Sequence, residues 1–166
     1  MKQSNIRTNY ILNTFNQVLG VIVPLITTPY LSRVLTAEGI GIQSYTNSIV
    51  TYFMLVAVLG SNSFGQRNIA FYRDDKEKLS QAFYDLISFR FITTLLSLCV
   101  YLIMVFNIDQ YRTIYLILSL NILNVVFDIN WFYQGIESFK KIVIRSIIVR
   151  LVHVITIFLF IYFFIY

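Results

Sequence analysis

The sequence predicts an all-α integral membrane protein with about five transmembrane helices. Three observations support this fold class: 57% of the residues are hydrophobic, only 13% are charged, and long apolar stretches alternate with short polar ones. An average soluble domain carries about 25% charged residues. The polar residues here are too few to cover a water-soluble core built from 166 residues. We therefore expect lipid to be the main solvent of the chain.

Five apolar windows approach the length that a membrane requires, which is roughly 20 residues for a hydrocarbon core about 30 Å thick. The predicted spans are 10–31, 44–59, 83–106, 114–133 and 147–166. The connections are short and polar, without Pro-rich or Ser-rich linkers. The sequence therefore predicts a single transmembrane domain over residues 1–166.

The first window competes with a cleaved signal peptide, because Lys2 and Arg7 precede an apolar run. The run is too long for a signal peptide and has no small-residue cleavage site. Pro24 and Pro29 lie within it, and spanning helices tolerate proline where neighbouring groups satisfy the freed carbonyls. We expect a retained and kinked first helix.

The basic residues predict the orientation, because short cytoplasmic loops are enriched in Lys and Arg. If the spans alternate, the opposite side carries only Arg33 and Arg112, and Arg90 lies near the start of the third span. Ten basic residues share one side: Lys2, Arg7, Arg67, Arg73, Lys76, Lys78, Lys140, Lys141, Arg145 and Arg150. The amino terminus is therefore predicted to be cytoplasmic. The net charge of +5 reflects this topology, and nucleic acid is not an expected partner.

Residues 136–145 are typical of a short interfacial helix. Its apolar side chains would face lipid, and its basic ones would face phosphates or water: Ile136, Phe139, Ile142 and Val143 against Lys140, Lys141 and Arg145. A second interpretation is that the two lysines gather an anionic lipid substrate.

Polar side chains recur at helical spacing in the first two spans, which places them on one face of each helix. In the first span they include Asn13 and Asn16, and in the second Asn47 is flanked by Ser44 and Thr51. Such faces either pack against other helices or form the wall of a hydrated cavity that contacts sugar hydroxyls. Both interpretations remain open.

In the fourth span Asn121, Asn124 and Asp128 follow at i, i+3 and i+7, on one face. A carboxylate in hydrocarbon costs a few kcal/mol and is a functional hypothesis by default. We interpret Asp128 either as a cation or proton site for ion coupling or as the partner of a buried Arg or Lys. Trp131 and its aromatic neighbours at the end of this span are expected to be interfacial anchors.

In the third span Asp85 and Arg90 are predicted to pair, although a spacing of five residues suits a shared face poorly. Alternatively, Arg90 contacts a phosphate, which suits guanidinium geometry. The lone Cys99 is expected to be a small core or lipid-facing residue, and the lone His153 to pack near the interface.

The sequence contains no catalytic constellation. It has no Gly-rich nucleotide loop followed by Lys, no HExxH, no paired cysteines and no GxSxG. One histidine and one cysteine do not make a metal site. We expect no enzyme activity, no cofactor and no catalytic or metal-binding residues.

Three segments carry a family resemblance: PYLSRVL at 29–35 followed by EGIG at 38–41, then residues 60–67, ending in GQR and predicted to be the second connection, then DINWFYQGIE at 128–137. In this order the chain resembles the oligosaccharide flippases of the multidrug, oligosaccharidyl-lipid and polysaccharide exporter superfamily, which export O-antigen and capsule repeat units. Thr36 stands where that family often has glycine.

The resemblance implies a multi-pass protein of the bacterial cytoplasmic (inner) membrane. Its substrate would be an undecaprenyl-diphosphate-linked glycan, carried between leaflets by alternating access of two helical lobes. By charge and depth, Arg33 and Arg90 are the candidates for holding the diphosphate at the two ends of the path. Family members have two lobes, so this chain corresponds to an incomplete amino-terminal lobe. It is then either a truncated product or the partner of a second chain that supplies the missing helices.

Two other functions fit the same sequence. One is a multidrug-type exporter of the same superfamily. The other is a membrane subunit that stabilises a complex without transporting anything.

Overall fold

The computed structural model describes residues 6–165, apart from the side chains of residues 6, 8, 9, 30, 33 and 160–165. Within that range the chain forms helices and no strand. The helices are α1 (Ile6–Val34), α2 (Ala37–Val58), α3 (Ser61–Phe71), α4 (Lys76–Phe106), α5 (Arg112–Phe127), α6 (Asn130–Gly135) and α7 (Phe139–Ile165).

In the described part of the chain, five helical segments are long and apolar enough to cross a membrane, which confirms the predicted fold class. They are Tyr10–Pro29, Ala37–Phe71, Lys76–Phe106, Arg112–Gly135 and Phe139–Leu159. Pro24 and Pro29 lie inside α1 without ending it. The helices divide into two compact units. One contains α1 and α7, and the other contains α2 from Gly41 onward together with α3 to α6.

The main core of the second unit lies between α2, α4 and α5. Its buried side chains are Val50 and Ala57 of α2, Tyr101 and Val105 of α4, and Tyr115, Ile122 and Val125 of α5. The Tyr101 hydroxyl donates a hydrogen bond of 2.7 Å to the carbonyl of Tyr115. A buried tyrosine therefore contributes both apolar area and a satisfied polar group to the contact.

Two hydroxyls of α4 bind the backbone of α2. Thr93 Oγ1 donates to the carbonyl of Ala57, and Ser97 Oγ donates to the carbonyl of Phe53, each over 2.7 Å. Both hydroxyl residues are buried. Small polar residues let helix backbones approach closely in a membrane, where helix pairing gains nothing from hiding apolar surface from water. The two hydrogen bonds are four residues apart on each helix, so they join α2 and α4 at two successive turns.

A second, smaller core lies where α3 and α6 cross. Gly65 of α3 and Gly135 of α6 are buried. A β-carbon on Gly65 would lie 2.7 Å from a ring carbon of Trp131, and one on Gly135 would lie 2.7 Å from Ile69. The two glycines therefore permit an approach that any larger residue would block. Gly65 and Gly135 also stand in two of the segments that carry the family resemblance.

The structure corrects the predicted second connection. Residues 60–67 are not a loop, because Leu59 and Gly60 make a short left-handed turn (φ 40° and 70°) and α3 then begins at Ser61. Positive φ costs glycine little and other residues more. Arg67 therefore lies in α3, and Lys76 begins α4.

The structure also corrects the segment predicted as a separate interfacial helix. From Phe139 onward it is the start of α7, a single helix of 27 residues. Ile142 and Val143, expected to face lipid, are buried, with exposed fractions of 8% and 5%. The lysines and apolar residues that suggested an interfacial helix form the first turns of α7. This spanning helix extends beyond the hydrocarbon core.

Candidate functional site

A buried arginine connects α3, α4 and the break between α5 and α6. The Arg90 side chain is 1% exposed. Its Nε donates to Ser61 Oγ over 2.9 Å, its Nη1 donates to the carbonyl of Asp128, and its Nη2 donates to Asn62 Oδ1. The guanidinium carbon lies 6.0 Å from the centre of the Trp131 ring, within reach of a cation–π interaction. Arg90 therefore uses three of its five N–H groups on protein acceptors.

Asp128 ends α5, so the predicted stripe with Asn121 and Asn124 stops at Phe127. Its backbone is extended (φ −78°, ψ 98°), and its Oδ1 accepts a hydrogen bond of 3.2 Å from the backbone N–H of Asn130. The break lies inside the Arg112–Gly135 span. Unpaired backbone groups are costly at membrane depth, and Arg90 satisfies the freed carbonyl. A carboxylate that accepts the backbone N–H of Asn130 and an arginine that binds the carbonyl of Asp128 thus stabilise the break.

The expected pair between Asp85 and Arg90 is wrong. Arg90 points toward Ser61, Asn62 and Asp128. Asp85 is exposed and lines a groove between α3 and α4. The spacing of five residues explains the outcome, because residues on one helix share a face at separations of three or four.

The asparagines of the other predicted polar faces are distributed over both units. Asn13 and Asn16 of α1 are partly buried, as is Asn121 of α5. Asn47 of α2 and Asn124 of α5 are exposed. The structure brings none of these five side chains into a hydrogen bond with another within the described residues.

A second arginine, predicted to lie around the fourth connection on the cytoplasmic side, is within the spanning part of α7. Arg150 is eleven residues beyond Phe139, the start of the 139–159 span, which is about 16 Å along the helix. Its Nη1 donates a hydrogen bond of 2.9 Å to the carbonyl of Asn16 in α1. A β-carbon on Gly20 would lie 3.3 Å from its Nη2. Gly20 therefore leaves the space in which the guanidinium packs against α1.

The amide of Asn16 is also part of this contact region. Its Oδ1 is buried and accepts no hydrogen bond among the described residues. A buried oxygen without a donor costs about 1–3 kcal/mol. The α1/α7 pair thus combines a guanidinium with an unused acceptor inside the apolar segment. The predicted span began at residue 147, which left Arg150 three residues from its end, whereas α7 begins at Phe139 and places Arg150 deeper in the helix.

The remaining predicted residues add little to these two sites. The side chain of Arg33 lies outside the described residues, although its backbone belongs to α1. Cys99 and His153 are exposed on α4 and α7. The described residues contain no group of three or more His, Cys, Asp or Glu side chains that could hold a metal ion.

Comparison with known proteins now decides the family. A family model described as "Polysaccharide biosynthesis protein" matches residues 6–165. The chain belongs to this polysaccharide biosynthesis family. This membership confirms the family resemblance of the three sequence segments. Together with the five apolar helices, it identifies the chain as a multi-pass membrane protein.

One curated relative extends this result. The chain is 26% identical over 151 residues to the "Putative O-antigen transporter" of Escherichia coli (strain K12), a match that covers 89% of this chain and 36% of the relative. The chain therefore spans about a third of the length of that protein. No solved structure matches the chain significantly.

Proposed function

We propose that the chain takes part in flipping undecaprenyl-diphosphate-linked oligosaccharide repeat units from the cytoplasmic to the outer leaflet of the bacterial inner membrane. It would form the amino-terminal part of a two-lobe exporter. The family match and the name of the E. coli relative support transport of a glycan precursor. The polyprenyl diphosphate and the short glycan are inferred from the resemblance described above.

The observation that carries this proposal is the helix break at Asp128, stabilised by Arg90. Membrane transporters use interrupted helices at their substrate and ion sites, because unwound backbone is stable at membrane depth only where it is buried or lines a cavity.

For the diphosphate we keep Arg33 and Arg90 as contacts and add Arg150. Arg90 commits three N–H groups to the protein and is 1% exposed, so its other two have little access to a ligand. Within the described residues Arg150 makes one hydrogen bond, to the carbonyl of Asn16. Its partly exposed guanidinium therefore has more donors to offer a phosphate, and bidentate binding of phosphate suits arginine. Partly buried asparagines, such as Asn13 and Asn121, would bind sugar hydroxyls.

We infer a cytoplasmic amino terminus from the basic residues that remain outside the central parts of the helices. Arg67 and Arg150 lie within α3 and α7, which leaves eight of the ten basic residues assigned to the cytoplasmic side. This number still exceeds the two basic residues, Arg33 and Arg112, assigned to the opposite side. A cell interior that is negative then favours outward movement of the substrate by about 2.3 kcal/mol per charge per 100 mV. Ion coupling at Asp128 would add to this driving force.

The test is the recovery of surface polysaccharide in bacteria that lack their own flippase and express the 166-residue chain. Photocrosslinking of the membrane-inserted chain to a lipid diphosphate with and without its glycan provides a second readout. Recovery, or a crosslink that is stronger with the glycan, supports the proposal. A stably inserted chain that gives neither result overturns it, and resistance to drugs without either result favours the multidrug-type alternative.

A further inference from the structure

A groove between α3 and α4 has no role in the proposed transport step. It encloses about 420 Å³ and is lined mainly by apolar side chains, among them Phe64, Leu86 and Phe89. Asn68, Ser61 and Asp85 add its polar groups. This volume falls within the range of small-molecule sites, about 300–1,000 Å³. A few polar groups among apolar walls are the usual composition of such sites.

The carboxylate of Asp85 is the unusual feature of this groove. It forms no hydrogen bond or ion pair with any described residue, because the guanidinium of Arg90 is turned toward Ser61 and the helix break. An acidic side chain within a spanning helix normally pairs with a cation or faces a hydrated cavity. The groove thus presents a negative charge that the described residues do not neutralise.

The depth of Asp85 restricts the cation that can reach it. It lies nine residues after Lys76, the first residue of α4, and α4 has 31 residues. The helix is therefore about 46 Å long and extends about 8 Å beyond each face of a centred hydrocarbon core about 30 Å thick. Asp85, about 13 Å from the helix start, then lies about 5 Å inside the core boundary, where the headgroup of an amphiphile can reach.

The walls restrict the ligand further. Phe64 and Phe89 are exposed in the groove, at 62% and 45%. Phenyl faces attract ammonium groups, and the apolar walls suit an attached alkyl chain. A bare metal ion would find one carboxylate and little further oxygen, whereas hard cations require about six oxygen ligands.

We propose that the α3/α4 groove binds the ammonium group of an amphipathic amine, with Asp85 as its counter-ion. The amine has two possible sources: the ethanolamine headgroup of a bilayer phospholipid, or a free amphipathic amine that enters from the membrane. This site is independent of the proposed transport function, and failure of either leaves the other standing.

The first experiment measures lipid retention by native mass spectrometry, with the chain released from a bilayer of equal parts phosphatidylethanolamine and phosphatidylglycerol of identical acyl chains. The wild type should retain the ethanolamine lipid preferentially. Asp85→Asn has the same size without the charge. It should lower that preference by about threefold or more, the effect expected from the loss of a partly exposed ion pair. Asp85→Glu should preserve it.

Asp74→Asn provides the matched control, because Asp74 is exposed and does not line the groove. It removes one carboxylate from the same end of the chain and should leave lipid retention unchanged. Equal helical circular dichroism of all variants establishes that each one folds.

The second experiment adds decylamine or decanol to the chain in phosphatidylglycerol nanodiscs and follows the fluorescence of Trp131, the single tryptophan. Decylamine alone should change the emission, and Asp85→Asn should abolish that change. A response to decylamine without lipid preference assigns the site to free amines, and preference for the ethanolamine lipid assigns it to the phospholipid. If Asp85→Asn matches the wild type in both experiments, the proposal is wrong.

Discussion

Replacement of Gly65 by alanine tests how closely α3, α4 and α6 pack. A β-carbon at this position would lie 2.3 Å from Leu86 Cδ2 and 2.7 Å from Trp131 Cε3. Leu86 can rotate away, but the Trp131 ring is stacked on Phe83 at 5.7 Å and faces Arg90. The added methyl group therefore forces the ring or the helix to shift, and overpacking of this kind costs about 1–3 kcal/mol.

Gly41→Ala is the matched control. Gly41 lies within α2 of the same unit, and a β-carbon there meets nothing within 4 Å. An exposed helical glycine replaced by alanine gains about 0.5–1 kcal/mol. The two variants carry the same chemical change, and the gain from replacing a helical glycine is common to both, so their free energies of unfolding should differ by the overpacking cost of about 1–3 kcal/mol.

The assay is SDS-induced unfolding in mixed micelles, followed by circular dichroism and by Trp131 fluorescence. Gly65→Ala should unfold at a lower SDS fraction than the wild type, and Gly41→Ala at an equal or higher fraction. If both variants unfold together with the wild type, the close approach of Gly65 to Trp131 does not exist in the membrane protein.

Three further predictions concern polar contacts. Arg90→Lys should lower the free energy of unfolding by about 2–4 kcal/mol in the same assay, because an ammonium cannot reproduce the arginine fork and leaves buried acceptors without donors. Tyr101→Phe should cost about 1 kcal/mol through loss of its bond to the Tyr115 carbonyl. The backbone N–H and then the side chain of Lys78 lower the pKa of Asp75 from 3.8. The stability that this carboxylate adds is thus present above pH 3.8, its pKa in the unfolded chain. It is lost as the pH falls through the lowered pKa of the folded protein. The protection factor of the Lys78 amide, which corrects for the slower intrinsic exchange at low pH, should then fall, whereas Asp75→Asn should remove this pH dependence.

The fold was predictable because it depends on composition and on the lengths of apolar windows. Five spans follow from hydrophobicity alone, since lipid requires long apolar helices whatever their packing. Their ends were less predictable. The polar residues of 60–67 looked like a loop, but α3 buries Gly65 and Ile69 against α6 while exposing Arg67. The helical structure of residues 61–71 depends on packing against α6, which is distant in sequence, and the local sequence pattern does not indicate that contact.

The candidate site was predicted in its residue types and less well in its pairings. Arg90 and Asp128 were both singled out, and the structure joins them through the carbonyl of Asp128 instead of its carboxylate. A sequence shows which side chains are present, but it does not show which backbone carbonyls lose their hydrogen bonds where a helix is interrupted. One usable signal was present: Arg90, Thr93, Ser97 and Tyr101 follow at helical spacing along α4, and all four are buried.

The two membrane arginines differ in how much of their charge remains for a ligand. Arg90 has the carboxylate of Asp128 as an electrostatic partner, besides its hydrogen bonds. The hydrogen bond of Arg150 goes to a backbone carbonyl, which orients the guanidinium without cancelling its charge. In a medium of low dielectric constant an uncancelled charge acts over a longer distance than in water. Arg150 is therefore better placed than Arg90 to attract an anionic group into the membrane, whereas Arg90 is better suited to hold the broken helix in which Asp128 lies.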